Sequence, residues 1–187
     1  MKSLLLRFGL ALTALSGCAA STTERLALPP LTTVAAVDLG KYAGTWYEIA
    51  SYPQSFSKGC MATTATYTAR PDGDIDVLNR CRKGSLQGKE DTAKGRARVV
   101  DTVTHAKLKV SFFRPFWGDY WIIQLAPDYS YAVVGHPGRD YLWILSRTPQ
   151  LDATIYSGIL AKLKEQGYPL DRLQKTPQPI AAASPGT

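Results

Sequence analysis

Between residues 45 and 147 the chain breaks into eight short runs rich in β-branched and aromatic residues, each stopped by turn chemistry. This rhythm constrains the fold more than any other feature. The runs are 45–51, 61–69, 75–82, 92–101, 106–112, 118–125, 131–135 and 141–147. Pro71-Asp72-Gly73, Ala126-Pro127-Asp128 and His136-Pro137-Gly138 supply turns between them. Strands joined this briefly pair antiparallel, and eight of them lose their exposed edges by closing into a barrel. The expectation is an all-β, eight-stranded antiparallel up-and-down barrel, with room inside for one small ligand.

One helix comes late. Asp152 can cap it, Ile155, Ile159, Leu160 and Leu163 make one apolar stripe, and Gly167 with Pro169 ends it. A helix with a single apolar face needs a wall to lie on, so a C-terminal α-helix packed outside the barrel is expected. A short strand at 172–175 follows.

The N-terminus reads as an export leader. Lys2 and Arg7 supply a positive n-region, and Leu4-Leu5-Leu6 with Phe8-Gly9-Leu10-Ala11-Leu12 a short apolar stretch that falls below the roughly 20 residues needed to span a bilayer. Leu15-Ser16-Gly17-Cys18 matches a bacterial lipobox, in which residues 1–17 are removed as a lipoprotein signal peptide and Cys18 carries acyl chains. An ordinary cleavage site near Ala19-Ala20 is the plainer alternative. Residues 18–36 are expected as a lipidated N-terminus and tether, 37–177 as the domain, and 178–187 as a disordered tail.

Removal of Lys2 and Arg7 lowers the net charge from +7 to +5. That excess is spread out, without a basic stripe interleaved with exposed aromatics, so no nucleic-acid partner is expected. With Cys18 lipidated, Cys60 and Cys81 form an even pair about a Pro-Asp-Gly turn near residue 71. Near-equal distances from a hairpin turn place them across from each other, roughly 4.5 to 5.5 Å apart at Cβ, so a disulfide is expected. An immunoglobulin-type sandwich would instead join distant strands around a buried Trp.

Three motifs carry a family resemblance. Gly44-Thr45-Trp46 in "GTWYEIA", "APDYSYAVVG" at 126–135 and "LWILSRTP" at 142–149 stand in the order and spacing of the lipocalin motifs. The longer strings "KVSFFRPFWGDYWII" and "RDYLWILSRTP" resemble the bacterial branch, outer-membrane lipoproteins related to apolipoprotein D. The resemblance implies a lipocalin barrel whose closed end is sealed by Gly44, Trp46 and Arg147, the guanidinium lying on the indole. It also implies lipid anchoring at the outer membrane, on its periplasmic face.

The strands at 118–125 and 141–147 are apolar on both faces, so alternation alone does not say which face looks inward. With Arg147 inward, Trp143 and Leu145 share its side and Tyr141 lies nearer the mouth. Tyr120 joins them as ligand-binding, together with Phe112 and Trp117 near Pro115. Phe112, Phe113, Phe116 and Trp117 form either a hydrophobic lip or a packed loop. Lys58, Arg114 and Arg139 sit in loops where one can meet a carboxylate or phosphate head. The expected ligand is a fatty acid or lysophospholipid, bound for transport or storage, and a homodimer is left open. No cofactor, metal or catalytic residue is expected: His105 and His136 are isolated, and Gly-x-Ser-x-Gly is absent. The alternatives are an enzyme that uses a free Cys60 or Cys81, and an envelope interaction module with a plugged barrel.

Overall fold

A computed structural model describes residues 28–180. Within them β1 spans Gly44–Ser51, β2 Cys60–Ala69, β3 Ile75–Lys83 and β4 Glu90–Val99. Then come β5 Lys107–Ser111, β6 Gly118–Leu125, β7 Tyr131–Gly135, β8 Leu142–Ser146 and a two-residue β9, Gln174–Lys175. A one-turn helix α1, Leu39–Tyr42, precedes β1, and α2, Ala153–Glu165, follows β8. Each of the first seven strands pairs antiparallel with the next, and β8 pairs with β1, which closes the ring. The barrel is therefore closed, with one more strand and one helix outside it.

The two apolar faces of β6 to β8 have separate uses. Ile122, Val134 and Leu145 point into the barrel with Trp46, Tyr67, Val77 and Leu108. Their neighbours Ile123, Val133 and Ile144 point outward, beneath Ile159 and Leu163 of α2. The Asp152 side chain caps that helix, accepting from the Thr154 and Ile155 amides at 2.8 and 3.0 Å. Gly167, at φ +78°, ends it. Of the expected stripe, Ile159 and Leu163 are buried while Ile155 is exposed.

The chain direction fixes the two ends. The turns after β2, β4 and β6 lie at the closed end with α1; those after β1, β3, β5 and β7 surround the mouth. Beyond residue 48, β1 leaves β2 and pairs instead with β9. The seam so opened is sewn by the C-terminal segment. Thr176 N–H donates to the Ile49 carbonyl at 3.0 Å, Ala62 N–H to that of Pro177 at 2.8 Å, and Gln178 Nε2 to both Glu48 O and Thr63 O at 2.8 Å.

Two boundaries differ from the sequence expectation. The expected disordered tail begins at residue 178, yet Gln178 is buried in the seam, because its carboxamide supplies donors for two strand carbonyls that have parted from each other. Residues 28–36 belong to the expected tether, yet Leu31 is buried against the outer core and the Pro29 carbonyl accepts from Arg139 Nη2 at 2.7 Å. A segment without strand or helix period can still dock through single side chains and carbonyls. Cys18, the leader and residues 181–187 lie outside the described residues.

Cys60 and Cys81 are joined, with Cα atoms 5.4 Å apart. They are not directly opposed. Cys60 faces Lys83, and Cys81 lies two residues further along on the same face. The Arg70 to Asp74 turn is centred later than expected, and β2 carries a bulge between Met61 and Thr64, where Ala62 takes φ +49°.

Candidate functional site

At the closed end, a seal is built from α1, β1 and β8. Asp38 caps α1, whose last carbonyls then lack helical partners. The Arg147 guanidinium donates to them and to β1: Nη2 to the carbonyls of Lys41, Tyr42 and Ala43 at 2.6, 3.2 and 3.0 Å, and Nη1 to Thr45 O at 2.9 Å. Its carbon lies 3.7 Å from the centroid of the Trp46 ring, and Trp46 is fully buried, with Nε1 donating to Tyr42 O at 2.8 Å. Gly44 turns the chain from α1 into β1 at φ +93°, a conformation that side chains disfavour. Trp46, Arg147 and Gly44 thus meet at one end of the barrel, away from its mouth.

Above the seal the interior is hollow. A cavity of about 490 Å³ opens at the mouth beside Phe56, His136 and Tyr141. Its walls are largely apolar, with Val77, Leu108, Val110 and Leu145 among them, so the barrel is not plugged by its own side chains. Phe112 enters the lumen over Gly95, where an added Cβ would come within 2.8 Å of the ring. The Cys60–Cys81 disulfide forms part of the wall.

Two polar clusters stand at different depths of the cavity. At the floor, Tyr120 Oη lies 2.7 Å from Tyr42 Oη and 2.9 Å from Tyr67 Oη. Burial pushes the Tyr67 phenol up to about 12 and those of Tyr42 and Tyr120 well above the ordinary tyrosine value, so the cluster stays neutral. Higher up, at the point where β1 and β2 part, Glu48 faces the lumen. Its Oε1 accepts from Ser51 Oγ at 2.9 Å and Thr176 Oγ1 at 2.5 Å. Burial raises the Glu48 carboxyl above the ordinary glutamate value, against the pull of those two hydroxyls.

Five residues expected to bind ligand line the cavity: Trp143, Tyr141, Leu145, Tyr120 and Phe112. Tyr141 and Trp143 stack at 6.0 Å, 12° from parallel, just inside the mouth. Trp117 does not join them. Its ring lies 5.0 Å from the guanidinium of Arg98, which follows the inward Ala97 on β4 and so stands on the outer face. Arg139 is likewise not a mouth residue; it is buried, and Nε donates to Gln166 O at 2.6 Å, satisfying the end of α2. Lys58 and Arg114 are exposed in two different mouth loops, and Phe113 and Phe116, which flank Arg114 in sequence, are also exposed. His136 is not a plain surface residue: it lines the cavity rim, 3.9 Å from an Asp119 carboxylate oxygen.

The closed antiparallel barrel, the Trp46–Arg147 seal and the hollow apolar interior agree with a match of residues 37–178 to the lipocalin-like domain model. The chain is a lipocalin. It is 40% identical over 153 residues to the outer membrane lipoprotein Blc of Escherichia coli, a match that covers 81% of this chain and 86% of that protein. It is 43% identical over 154 residues to temperature-induced lipocalin-1 of Arabidopsis thaliana, covering 78% and 81%. Mouse apolipoprotein D is 36% identical over 152 residues, covering 75% and 77%. Among solved structures, insecticyanin from the tobacco hornworm superposes with a TM-score of 0.64 at 21% identity, over 83% of this lipocalin and 88% of that chain.

Glu48, Thr63, Asn79, Tyr42 and Tyr67 also line the cavity of this lipocalin without having been picked out by sequence. Glu48 was within reach, since it stands two residues after the inward Trp46 on the same strand. Tyr67 shares a strand face with Ala65 and Thr63, but only the observed register assigns that face to the lumen.

Proposed function

We propose that this lipocalin binds a single-chain amphiphile, a fatty acid or a lysophospholipid, reversibly within the barrel, tail inward and head at the mouth. The observation that carries the proposal is the cavity: about 490 Å³, walled mainly by aliphatic and aromatic side chains, and open at one end. Each Å² of apolar ligand surface taken from water gains about 25 cal/mol, which favours a hydrocarbon chain over a sugar or nucleotide. Tyr141, Trp143, Leu145, Tyr120 and Phe112 furnish the walls, and the exposed Lys58 and Arg114 stand in the mouth loops within the region a phosphate or carboxylate head would occupy.

The protein is held at the outer membrane by acyl chains on Cys18, where it carries or stores lipid. The likeness to outer membrane lipoproteins over more than four-fifths of the chain supports this placement. It acts by binding rather than by catalysis. Cys60 and Cys81, either of which a cysteine-dependent lipocalin enzyme would need as a free thiol, are bonded to each other.

Titration of the mature protein, stripped of lipid, with a fluorescent fatty acid tests the proposal. Saturable binding at one site per barrel is expected, with displacement by unlabelled fatty acid or lysophospholipid. A well-folded barrel that shows no saturable binding refutes it.

A further inference from the structure

Three phenyl rings stand in solvent around the mouth. Phe56, in the loop between β1 and β2, is 69% exposed; Phe113 and Phe116, in the loop between β5 and β6, are 80% and 76% exposed. The Phe116 amide donates to the Phe113 carbonyl at 2.9 Å, so one tight turn carries both rings. The two loops lie four strands apart in a ring of eight, on opposite sides of the opening. Large apolar side chains left in water on both rims of one opening, among polar neighbours, mark a contact surface.

Charge divides the barrel end from end. The four mouth loops carry Lys58, Lys89, Arg114 and Arg139 against Asp140. The closed end reverses the balance: Asp38, Asp72, Asp74, Asp101 and Asp128 outnumber Lys41, Arg70 and Arg147. Carboxylates at the mouth ends of the strands are already matched, Glu90 with Arg82, Asp91 with Lys83 and Asp119 with Lys109, at 3.4, 3.4 and 3.2 Å. Lys58, Lys89 and Arg114 are exposed, and among the described residues their side chains enter no ion pair.

The N-terminal segment leads to the same rim. Val37 N–H donates to Thr104 O in a closed-end turn at 2.8 Å, Val34 N–H donates to Ile122 O half-way along β6 at 3.0 Å, and Pro29 O accepts from Arg139 in the loop between β7 and β8. Whatever precedes residue 29 is therefore joined to the domain at its mouth. Ten residues separate Cys18 from Leu28, a reach of at most about 35 Å when fully extended. Acyl chains on Cys18 would hold the mouth within that distance of a bilayer.

We propose that the mouth rests on an anionic phospholipid surface. Phe56 on one side and Phe113 with Phe116 on the other enter the headgroup layer, and Lys58, Lys89 and Arg114 meet the phosphates. This deepens the lipid-binding function proposed above by naming the surface that supplies and receives the ligand. An acyl chain then passes between leaflet and lumen without crossing water, whose contact with the chain is what costs free energy.

The experiment is co-sedimentation with vesicles of the chain begun at Ala19, which keeps every described residue and cannot be acylated. The vesicles are phosphatidylcholine alone, or phosphatidylcholine with about 30% phosphatidylglycerol as the anionic component. The wild type is expected to bind the anionic vesicles at least about ten-fold tighter than the neutral ones at low salt, an advantage that fades as salt is raised. A Phe113→Ser, Phe116→Ser variant should bind the anionic vesicles roughly ten-fold or more weaker. Its melting temperature and its affinity for a fatty acid in solution should stay level, since both rings are exposed and lie outside the cavity wall. Val103→Ser, which truncates an equally exposed side chain in a closed-end turn, should leave vesicle binding unchanged. Absence of vesicle binding by the wild type, equal binding to both kinds of vesicle, or an equal loss in the Val103 and phenylalanine variants overturns the docking surface. A dimer that forms through these loops in place of vesicle binding overturns it too. Fatty-acid binding in solution without docking sinks the surface alone; docking without fatty-acid binding refutes the function proposed above and leaves the surface standing.

Discussion

Replacing Arg147 with Met keeps a stem of similar length and removes the guanidinium that joins α1, β1 and β8. Two losses follow. The cation–π contact with Trp46, at 3.7 Å from carbon to ring centroid, is worth about 1 kcal/mol at a half-buried site. Nη1 and Nη2 together make contacts to the carbonyls of Lys41, Tyr42, Ala43 and Thr45. At about 0.5 kcal/mol each, discounted because water reaches part of the group, these add about 2 kcal/mol. The total of about 3 kcal/mol corresponds to a fall in melting temperature of roughly 6–12 °C for a domain of this size. Arg147→Lys keeps the charge but not the planar fork, and should fall between the two. Thermal unfolding followed by far-UV circular dichroism reads the loss directly. Since the seal lies at the far end from the mouth, the affinity for a fatty acid, measured well below the transition, should change little. Arg147→Met melting within about 2 °C of the wild type, or binding lost while the barrel stays folded, would refute the assignment of Arg147 to the seal.

The remaining predictions follow the same geometry. Glu48 has a raised folded value, so its contribution to stability is fully present below the ordinary 4.5 and is lost as pH rises through the folded value. The melting-temperature advantage of Glu48→Gln over the wild type should therefore grow between about pH 4 and pH 8, and a constant difference would contradict the buried carboxyl. Breaking the Cys60–Cys81 bond, which spans 21 residues of chain, should cost about 3 kcal/mol by loop entropy; urea unfolding of a Cys60→Ser, Cys81→Ser variant checks it. Trp143→Ala should weaken fatty-acid binding roughly five- to ten-fold by removing apolar wall, while Trp117→Ala, on the outer face, should leave it unchanged; equal effects would mean that the face assignment is wrong.

Much of this architecture was readable because β-strand patterning and turn chemistry are local. Eight strands, the capped helix after Asp152 and the hairpin cysteines all came from neighbouring residues. Facing was harder. Alternation in β6 and β8 is apolar on both sides, since one face lines the lumen and the other lies under α2, and only the tie between Arg147 and Trp46 orients β8. Trp117 reads from sequence as a cavity residue because the turn at the mouth hides the parity with which the chain enters β6. Arg139 looked like a free loop cation, but its partners are the carbonyls of Gln166 and Pro29, and such nonlocal contacts leave no pattern in sequence. Glu48 is a similar case. Its burial depends on Thr176 and Gln178, contributed by a segment more than a hundred residues later. The cavity itself depends on what side chains fail to fill, which is a property of packing rather than of any motif.

The central claim is that the barrel holds one single-chain amphiphile. Native mass spectrometry of the protein purified gently from the cells that make it, followed by lipid extraction, tests it most directly. One fatty acid or lysophospholipid per barrel is expected, lost when Leu145→Trp fills the lumen of a folded protein. A folded wild-type protein that carries no lipid, or that carries the same lipid after the lumen is filled, would contradict it.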